Sequence, residues 1–499
     1  MALDEKTEGG VMAGSPENQD TEAEKRLARL HELYGATWDG IDDPNDPYNW
    51  PEWRKILIGI IFSVGQLVTL MSASIMAAAL GNISHDLNIG ASTAQITLSI
   101  YFLGLGIGPF FIAALCEMNG RKQIWVTSNL WYILWNALCP VGKSNALMIV
   151  GRFLAATGAG AGITLTGPVM ADMYHAKDRG KSLAIASFLP YLGPALGPIV
   201  GGVVVQLIYW PWLFWIVSIF DAFITLLGVI FIKESYTPVL LRRKAVARSD
   251  QPVSPTISPM GLAFWRDFFS RLGTYLRRPL RLLIRRPIIQ VISLVLALNF
   301  GIYTLMLSTF ATLWIDRYGQ SALIGSLHYI SFSIGFVITA QVGGHLMDII
   351  YRRLRDRASN KGDGRPEFRA PYMLPGVLFI PIGLFWYGWS AEYRITWIMI
   401  DIGAVIFTCG SSAQALLAYT LDIFGELGAS ANAATRLLSN VLGFVFPIFA
   451  PQLYDRLGHG WGNSLLAFIF VALGVPVPVL LWIWGEKLRA LGKKEHEDN

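Results

Sequence analysis

The sequence predicts an all-α membrane protein: twelve transmembrane helices grouped as two pseudo-symmetric six-helix bundles. Three observations carry that prediction. The 499 residues are 53% hydrophobic and only 15% charged, with a mean hydropathy of +0.45, whereas a soluble chain of this size carries roughly a quarter charged residues. The charges are clustered, leaving apolar runs of about 20 residues, the length that crosses a bilayer. A polar, basic stretch, 233–286, divides those runs six and six, the layout of a duplicated bundle.

In chain order the expected spans are 56–80, 94–115, 124–140, 146–170, 182–208 and 212–232, then 287–314, 323–349, 371–389, 395–419, 431–453 and 463–484. They define a tail (1–53), a first bundle (54–232), a central loop (233–286), a second bundle (287–485) and a closing tail (486–499). The first 53 residues are polar and acidic without an early apolar stretch, so no cleavable leader is expected and the first span acts as a start-transfer helix. The loops on one side hold about 25 Lys and Arg residues, and both tails add about ten; the opposite loops hold only Lys143, Arg317, Arg394 and Arg456. The positive-inside rule therefore places both termini and the central loop in the cytosol. Within that loop, residues 264–286 are basic and amphipathic and are expected to lie on the anionic inner leaflet, with a regulatory role as the alternative.

Several function classes are excluded by what the chain lacks. Cys116, Cys139 and Cys409 have no metal-like spacing, so neither a metal site nor a disulfide framework is expected. There is no phosphate-binding Gly-Lys-Ser/Thr loop and no His-Glu-x-x-His pattern, and the seven histidines do not cluster. Neither an ATP-driven pump nor an enzyme fits, no cofactor is called for, and nothing suggests a nucleic-acid partner. The chain is expected to act as a monomer in the bilayer.

Four motifs carry chemistry. Inside the fifth span, Gly193, Gly197 and Gly201 recur every fourth residue beside Pro194, Pro198 and Gly202. Such a helix packs very closely and bends, and it is expected to form the tight seam that prevents leak while the two bundles rock, touching no cargo. The turn between spans two and three reads Glu117, then Gly120, Arg121 and Lys122, and the second bundle repeats an acid followed by arginines at Asp348 and Arg352. Charges at matching places in both halves suit a conformational latch. In span four, Arg152 precedes Gly158, Gly160 and Gly162; it either snorkels outward or faces the interior, where its fixed charge biases a nearby acid.

In order and spacing these motifs resemble the major facilitator superfamily, specifically its fungal branch of twelve-span drug:proton antiporters. Further resemblances are Asp43-Pro-Asn-Asp-Pro-Tyr-Asn-Trp50, Glu234-Ser-Tyr, Pro366-Glu-Phe-Arg369, the segments 381–389 and 419–422, and the region from Phe446 to Gly458, so the likeness runs over roughly residues 43–490. It implies the major facilitator fold, alternating access about a central site, proton coupling through Arg152, and an antiport role for the Gly-Pro motif.

Two acids depart from that pattern. Asp221 sits midway along span six, and Asp401 follows Ile400 where proline is usual. A carboxylate in hydrocarbon must be protonated, paired or wetted. Each is therefore a candidate proton site; the alternatives are a structural hydrogen bond for Asp221 and a pairing with Arg394 near the interface for Asp401. Asp422 suits a loop contact better than coupling. Gln66, Asn299, Tyr303, Gln341, Gln414 and Asn440 either face the cavity or hydrogen-bond between helices. The expected function is proton-driven export of small lipophilic compounds, drugs or fungal secondary metabolites, at the plasma membrane. A polyamine or other organic-cation exporter is the alternative within transport, and a non-transporting sensor is the alternative outside it.

Overall fold

Bilayer-length apolar runs have one local way to satisfy their backbone hydrogen bonds, the α-helix, and this chain takes it throughout. The computed structural model of the chain describes residues 16–174, 186, 189–248, 261–357, 365–410, 416, 419–420, 423–424 and 428–491, with no strand among them. Helix α1 (Pro16–Tyr34) precedes the spans. The first bundle holds α2 (Glu52–Ser74), which continues through a tighter turn into α3 (Leu80–Asp86), then α4 (Ala91–Asn119), α5 (Arg121–Leu138), α6 (Asn145–Met173), α7 (Gly193–Leu207) and α8 (Trp212–Phe231). Helices α9 (Thr237–Arg248) and α10 (Leu262–Arg285) occupy the central stretch. The second bundle holds α11 (Pro287–Thr312), α12 (Ala322–Leu327), α13 (Ile330–Ile338), α14 (Gly344–Arg357), α15 (Ala370–Glu392), α16 (Trp397–Cys409), α17 (Gly428–Leu473) and α18 (Pro476–Leu491).

Among the described residues nine helical stretches are long and apolar enough to cross a membrane, one of them 430–489. The backbone reverses within that stretch at Gly458, with φ 68° and ψ 178°. With this turn, the 18-residue α5 and the shorter apolar α16, the helices accommodate the twelve expected crossings.

Two turns use the same device on opposite faces. Gly120 takes φ +99° between α4 and α5, a conformation that suits glycine because it lacks a Cβ. The Glu234 carboxylate then accepts the otherwise unpartnered first N–H groups of α5, from Arg121 at 2.8 Å and Lys122 at 3.2 Å. At Gly458 the Glu392 carboxylate does the same for His459 at 2.7 Å and Gly460 at 3.1 Å. An acid from a distant element thus holds each reversal. The face bearing the α4–α5 turn, α9 and α10 is the basic face, and the one bearing the Gly458 turn is the opposite face.

Among the described residues the two bundles meet chiefly along two seams. Helix α4 packs along α17, so closely that a Cβ added to Gly106 would lie 2.9 Å from that of Asn440. Helix α7 packs on α12, where a Cβ added to Gly202 would lie 2.6 Å from the Ala322 carbonyl oxygen. Between the seams Phe102 of α4 meets Phe300 of α11 edge-on at 5.6 Å, and Tyr303 packs among Phe300, Phe332 and Phe336.

The tight seam expected of the Gly-Pro stripe lies for the most part inside the first bundle. Gly193 lies against Leu70, Gly197 against Met71 and Ser74, and Gly201 against Ile75, all on the helix that opens the first bundle. Only Gly202 reaches the other bundle. The i+4 spacing fixes one face of α7, and that face is a static contact inside the first half; the next residue round the helix points across the divide.

Helix α10 packs partly on protein. Phe268 and Leu272 are buried against Phe110 and Ala114 of α4, with Leu437 of α17 beside them. Part of its apolar face therefore closes over both bundles at the basic face, while Trp265, Phe269 and Ile284 remain exposed. The spacing of apolar residues tells which face of a helix seeks cover; it does not tell whether protein or lipid provides it.

Before the first span, the Asp-Pro-rich segment folds back as a strap. Arg26 pairs with Asp46 at 2.9 Å, and Lys244 of α9 pairs with Asp43 at 3.2 Å and Asp39 at 2.8 Å. Burial raises the Asp43 carboxyl, but N–H donors from Asp39 and Asn45 and the Lys244 ammonium outweigh it and hold the group below its ordinary value. A depressed carboxylate stabilises the fold above its unfolded value, about 3.9, and that contribution vanishes as pH falls through the folded value. The strap is therefore expected to resist protease at neutral pH and release below about pH 4. The variant D43N should release already at neutral pH; an unchanged cleavage profile would show that Asp43 does not hold the strap.

Candidate functional site

Helix α6 positions the site by packing tightly on three neighbours. A Cβ on Gly158 would lie 2.5 Å from the Ser128 carbonyl oxygen of α5, one on Gly160 3.4 Å from Pro109 of α4, and one on Gly162 3.3 Å from the Gln66 nitrogen of α2. These contacts fix the rotation of α6 and turn Arg152 inward, where it is fully buried. Its guanidinium donates to the Ser72 carbonyl oxygen at 2.9 Å and lies 4.3 Å from the centre of the Tyr101 ring. Tyr132 donates to the Ser72 hydroxyl at 3.0 Å, and Tyr101 donates to the Thr69 carbonyl oxygen at 3.2 Å. Among the described residues no carboxylate pairs with Arg152, and its Nε has no partner. A buried cation held only by dipoles and a ring face is costly, by several kcal/mol before compensation, and such groups in membranes mark function.

Asp221 shares this bundle. It is 2% exposed on α8, and one carboxylate oxygen has no hydrogen-bond partner. Among the described residues it forms no ion pair, and at that oxygen the alternative of a structural hydrogen bond is not met. Asn136 instead donates to Ser218 and the Phe214 carbonyl oxygen on the same helix, both at 2.9 Å.

Asp401 is paired, but not with Arg394, which is exposed. It bonds His328 Nδ1 at 2.7 Å. Arg394 follows the end of α15 with a positive φ of 50°, and it points to solvent, whereas the turn after α12 brings histidine onto α16. Asp401 and Asp221 are thus on different bundles and do not form one site.

The motif at the α4–α5 turn makes a dense network. Arg121 Nε donates to Asp172 at 3.3 Å, its guanidinium lies 4.4 Å from the Tyr236 ring centre, and Lys122 Nζ donates to the Val229 carbonyl oxygen at 2.8 Å. Glu117 faces α10, accepting from Tyr275 and lying 3.7 Å from Arg271. Arg352 is exposed on α14, and the Asp348 side chain is outside the described set, so the second-half repeat is not placed in a comparable network.

The cavity candidates divide. Gln66 donates to Thr166 at 2.8 Å and to the Ala186 carbonyl oxygen at 3.2 Å, a bond between helices. Asn440 donates to the Arg436 carbonyl oxygen and stands in the α4–α17 seam. Tyr303 is buried in the aromatic interior and Asn299 is half-buried beside it, whereas Gln341 is exposed. Gln414 and Asp422 lie outside the described residues. A depression of about 380 Å³ opens at the opposite face beside His85, Asp86, Tyr209 and Trp210. All of its lining belongs to the first bundle, so it is not the space between the halves. Residue reasoning passes over His328, Gln320, Glu392 and Asp172. A signal exists for each, since an ionisable or amide group at a span end needs a partner.

Comparison with known proteins agrees with this architecture. The family model of the Major Facilitator Superfamily matches residues 62–447. A probable efflux pump of Aspergillus flavus, mfs2, is 38% identical over 423 residues, covering 83% of this chain and 98% of its own. The efflux pump vrtL of Penicillium aethiopicum is 35% identical, covering 92% and 90%. Among solved structures, a D-xylose–proton symporter superposes with a TM-score of 0.62 at 16% identity, covering 86% of this chain and 97% of that one.

Proposed function

The chain belongs to the Major Facilitator Superfamily, and from that premise we propose that it exports small lipophilic organic molecules in exchange for protons, by alternating access. It is a multi-pass membrane protein and a secondary transporter. The observation that carries the finer reading is Arg152, fully buried without a carboxylate partner among the described residues and packed on the Tyr101 and Phe214 rings, in a molecule whose bundles meet through the aromatic side chains of Phe102, Phe300 and Tyr303. An aromatic and aliphatic lining suits lipophilic cargo, and the relatives named as efflux pumps agree in direction.

On this reading the proton gradient is the energy source, no cofactor is used and no bond in the cargo is broken. The working unit is a monomer in the plasma membrane, with the basic face and both termini in the cytosol. The test is export from cells expressing the chain, across a panel of lipophilic drugs and organic cations including polyamines, with and without an uncoupler. Extrusion of lipophilic compounds that stops when the gradient collapses is the expected result. Extrusion that persists without a gradient would rule out proton coupling, and selective extrusion of polyamines would replace the cargo class.

A further inference from the structure

The opposite-face contact between the bundles runs into a histidine–carboxylate pair. Helix α12 places Ala322 and Ser326 against Gly202 of the first bundle, and Ser333 of α13 donates to the Tyr191 carbonyl oxygen at 3.0 Å, also across the divide. Immediately after α12 the chain turns at His328, whose Nδ1 is 2.7 Å from Asp401 Oδ2 and whose Nε2 is 3.1 Å from Gln320 Oε1. The imidazole stacks on the Trp314 ring with centroids 3.8 Å apart and planes at 13°. One strip of chain thus touches the first bundle by its small residues and the second by a histidine–carboxylate pair.

We propose that His328 and Asp401 form a proton-binding fastener that holds the opposite-face gate shut when His328 is charged and frees it when His328 is neutral. With Gln320 Oε1 as acceptor both ring nitrogens donate, the hydrogen-bonding state of an imidazolium. Turning the amide over lets Gln320 donate to a neutral ring at Nε2, so the deprotonated ring keeps a partner there while its bond to Asp401 loses the ionic part. A proton arriving from the opposite face binds Nε2, the imidazolium pairs with the Asp401 carboxylate, and the indole face favours the cation. Loss of that proton leaves the pair without its charge attraction and the second Asp401 oxygen, already without a partner, still buried.

Among the described residues the other ionisable groups nearby are engaged elsewhere or exposed. Arg317 is taken by Glu392, Tyr318 donates to the Ile395 carbonyl oxygen, and Asp316 and Arg394 are exposed. Tyr329 donates to the Leu307 carbonyl oxygen, and among the described residues Tyr387 of α15 is a further buried ionisable group near Asp401. Helix α7, on the far side of α12, carries no ionisable side chain.

The inference rests on the alternating-access reading above, and its test needs no substrate. Full-length S326C in lipid nanodiscs is labelled with a membrane-impermeant maleimide over roughly pH 5 to 8, the range in which histidine side chains change charge. The parent's three cysteines set the background. Labelling, divided at each pH by that of the same S326C protein unfolded in detergent so that thiolate ionisation cancels, should rise with pH, and Trp314 emission, isolated as the difference from W314F, should titrate in parallel. H328N should abolish both transitions. If H328N does not reach the membrane, Q320E serves instead: its carboxylate only accepts, so the charged ring persists and labelling should stay low to higher pH. Labelling that is flat with pH, or an H328N that titrates like the parent, would overturn the proposal. Should export survive an uncoupler while labelling of S326C still follows pH through His328, proton coupling falls and the fastener stands. Coupled export with flat labelling is the reverse case.

Discussion

Replacing Arg152 with alanine is expected to abolish gradient-driven export while the protein still inserts and folds. The guanidinium touches the Ser72 backbone, the Tyr101 ring and the Phe214 ring, and it has no ion-pair partner to leave stranded among the described residues. Removing one member of a buried ion pair leaves an uncompensated charge, at about 3–5 kcal/mol; removing this arginine takes a charge out of the interior and leaves only a carbonyl and a cavity. Stability should therefore fall modestly, while export driven by a pH gradient should fall at least about tenfold, the loss that about 1.4 kcal/mol of coupling would produce. R152K is the sharper control. It keeps the charge but presents a compact ammonium where a planar group spans backbone and ring, so partial export is expected. The readout is uncoupler-sensitive efflux normalised to protein in the membrane. Full export by R152A would remove Arg152 from the coupling machinery. D221N, tested beside it, asks whether the buried carboxyl on α8 carries the proton; normal export there would leave that role to another group or to the cargo itself.

Gly197 and Gly202 are expected to fail in different ways. A Cβ on Gly197 would lie 2.6 Å from the Met71 carbonyl oxygen and closer still to Ser74 Oγ, both inside the first bundle. Gly197→Val should therefore overpack a static contact, costing typically about 1–3 kcal/mol, and appear as lower membrane abundance and a lower thermal midpoint. A Cβ on Gly202 would lie 2.6 Å from the Ala322 carbonyl oxygen of the other bundle. Gly202→Val should leave the first bundle intact, hold the opposite-face seam apart, and arrest turnover with cargo still bound. Abundance by fluorescence-detected chromatography separates the two outcomes from efflux rate. Equal loss of abundance in both would mean that the α7–α12 contact is needed for folding, not only for closure.

How much of this is legible from residues alone is clear from particular places. The apolar runs, the charge asymmetry and the Gly120 turn are local properties, and the helices fall where those properties put them. The inward turn of Arg152 is one of two readings that the residues leave open, because an arginine near a span end can also snorkel; the three glycine contacts of α6 settle it by fixing the helix rotation. Pairing Asp401 with Arg394, its neighbour in sequence, fails because proximity along the chain says nothing about what an adjacent helix presents. His328 lies 73 positions from Asp401, and no periodicity in one segment reports that distance.

By itself, then, the sequence determined that this chain crosses the bilayer many times, in two halves, with small residues and buried charges at set positions along each helix. Those are consequences of hydrocarbon as solvent, which acts on every residue independently of its partners. The tertiary structure decided which small residue meets which helix, that α10 covers the bundles, and that a histidine holds Asp401. Each of these depends on the rotation and pairing of separate helices, and van der Waals packing sets those only once all of the helices are present.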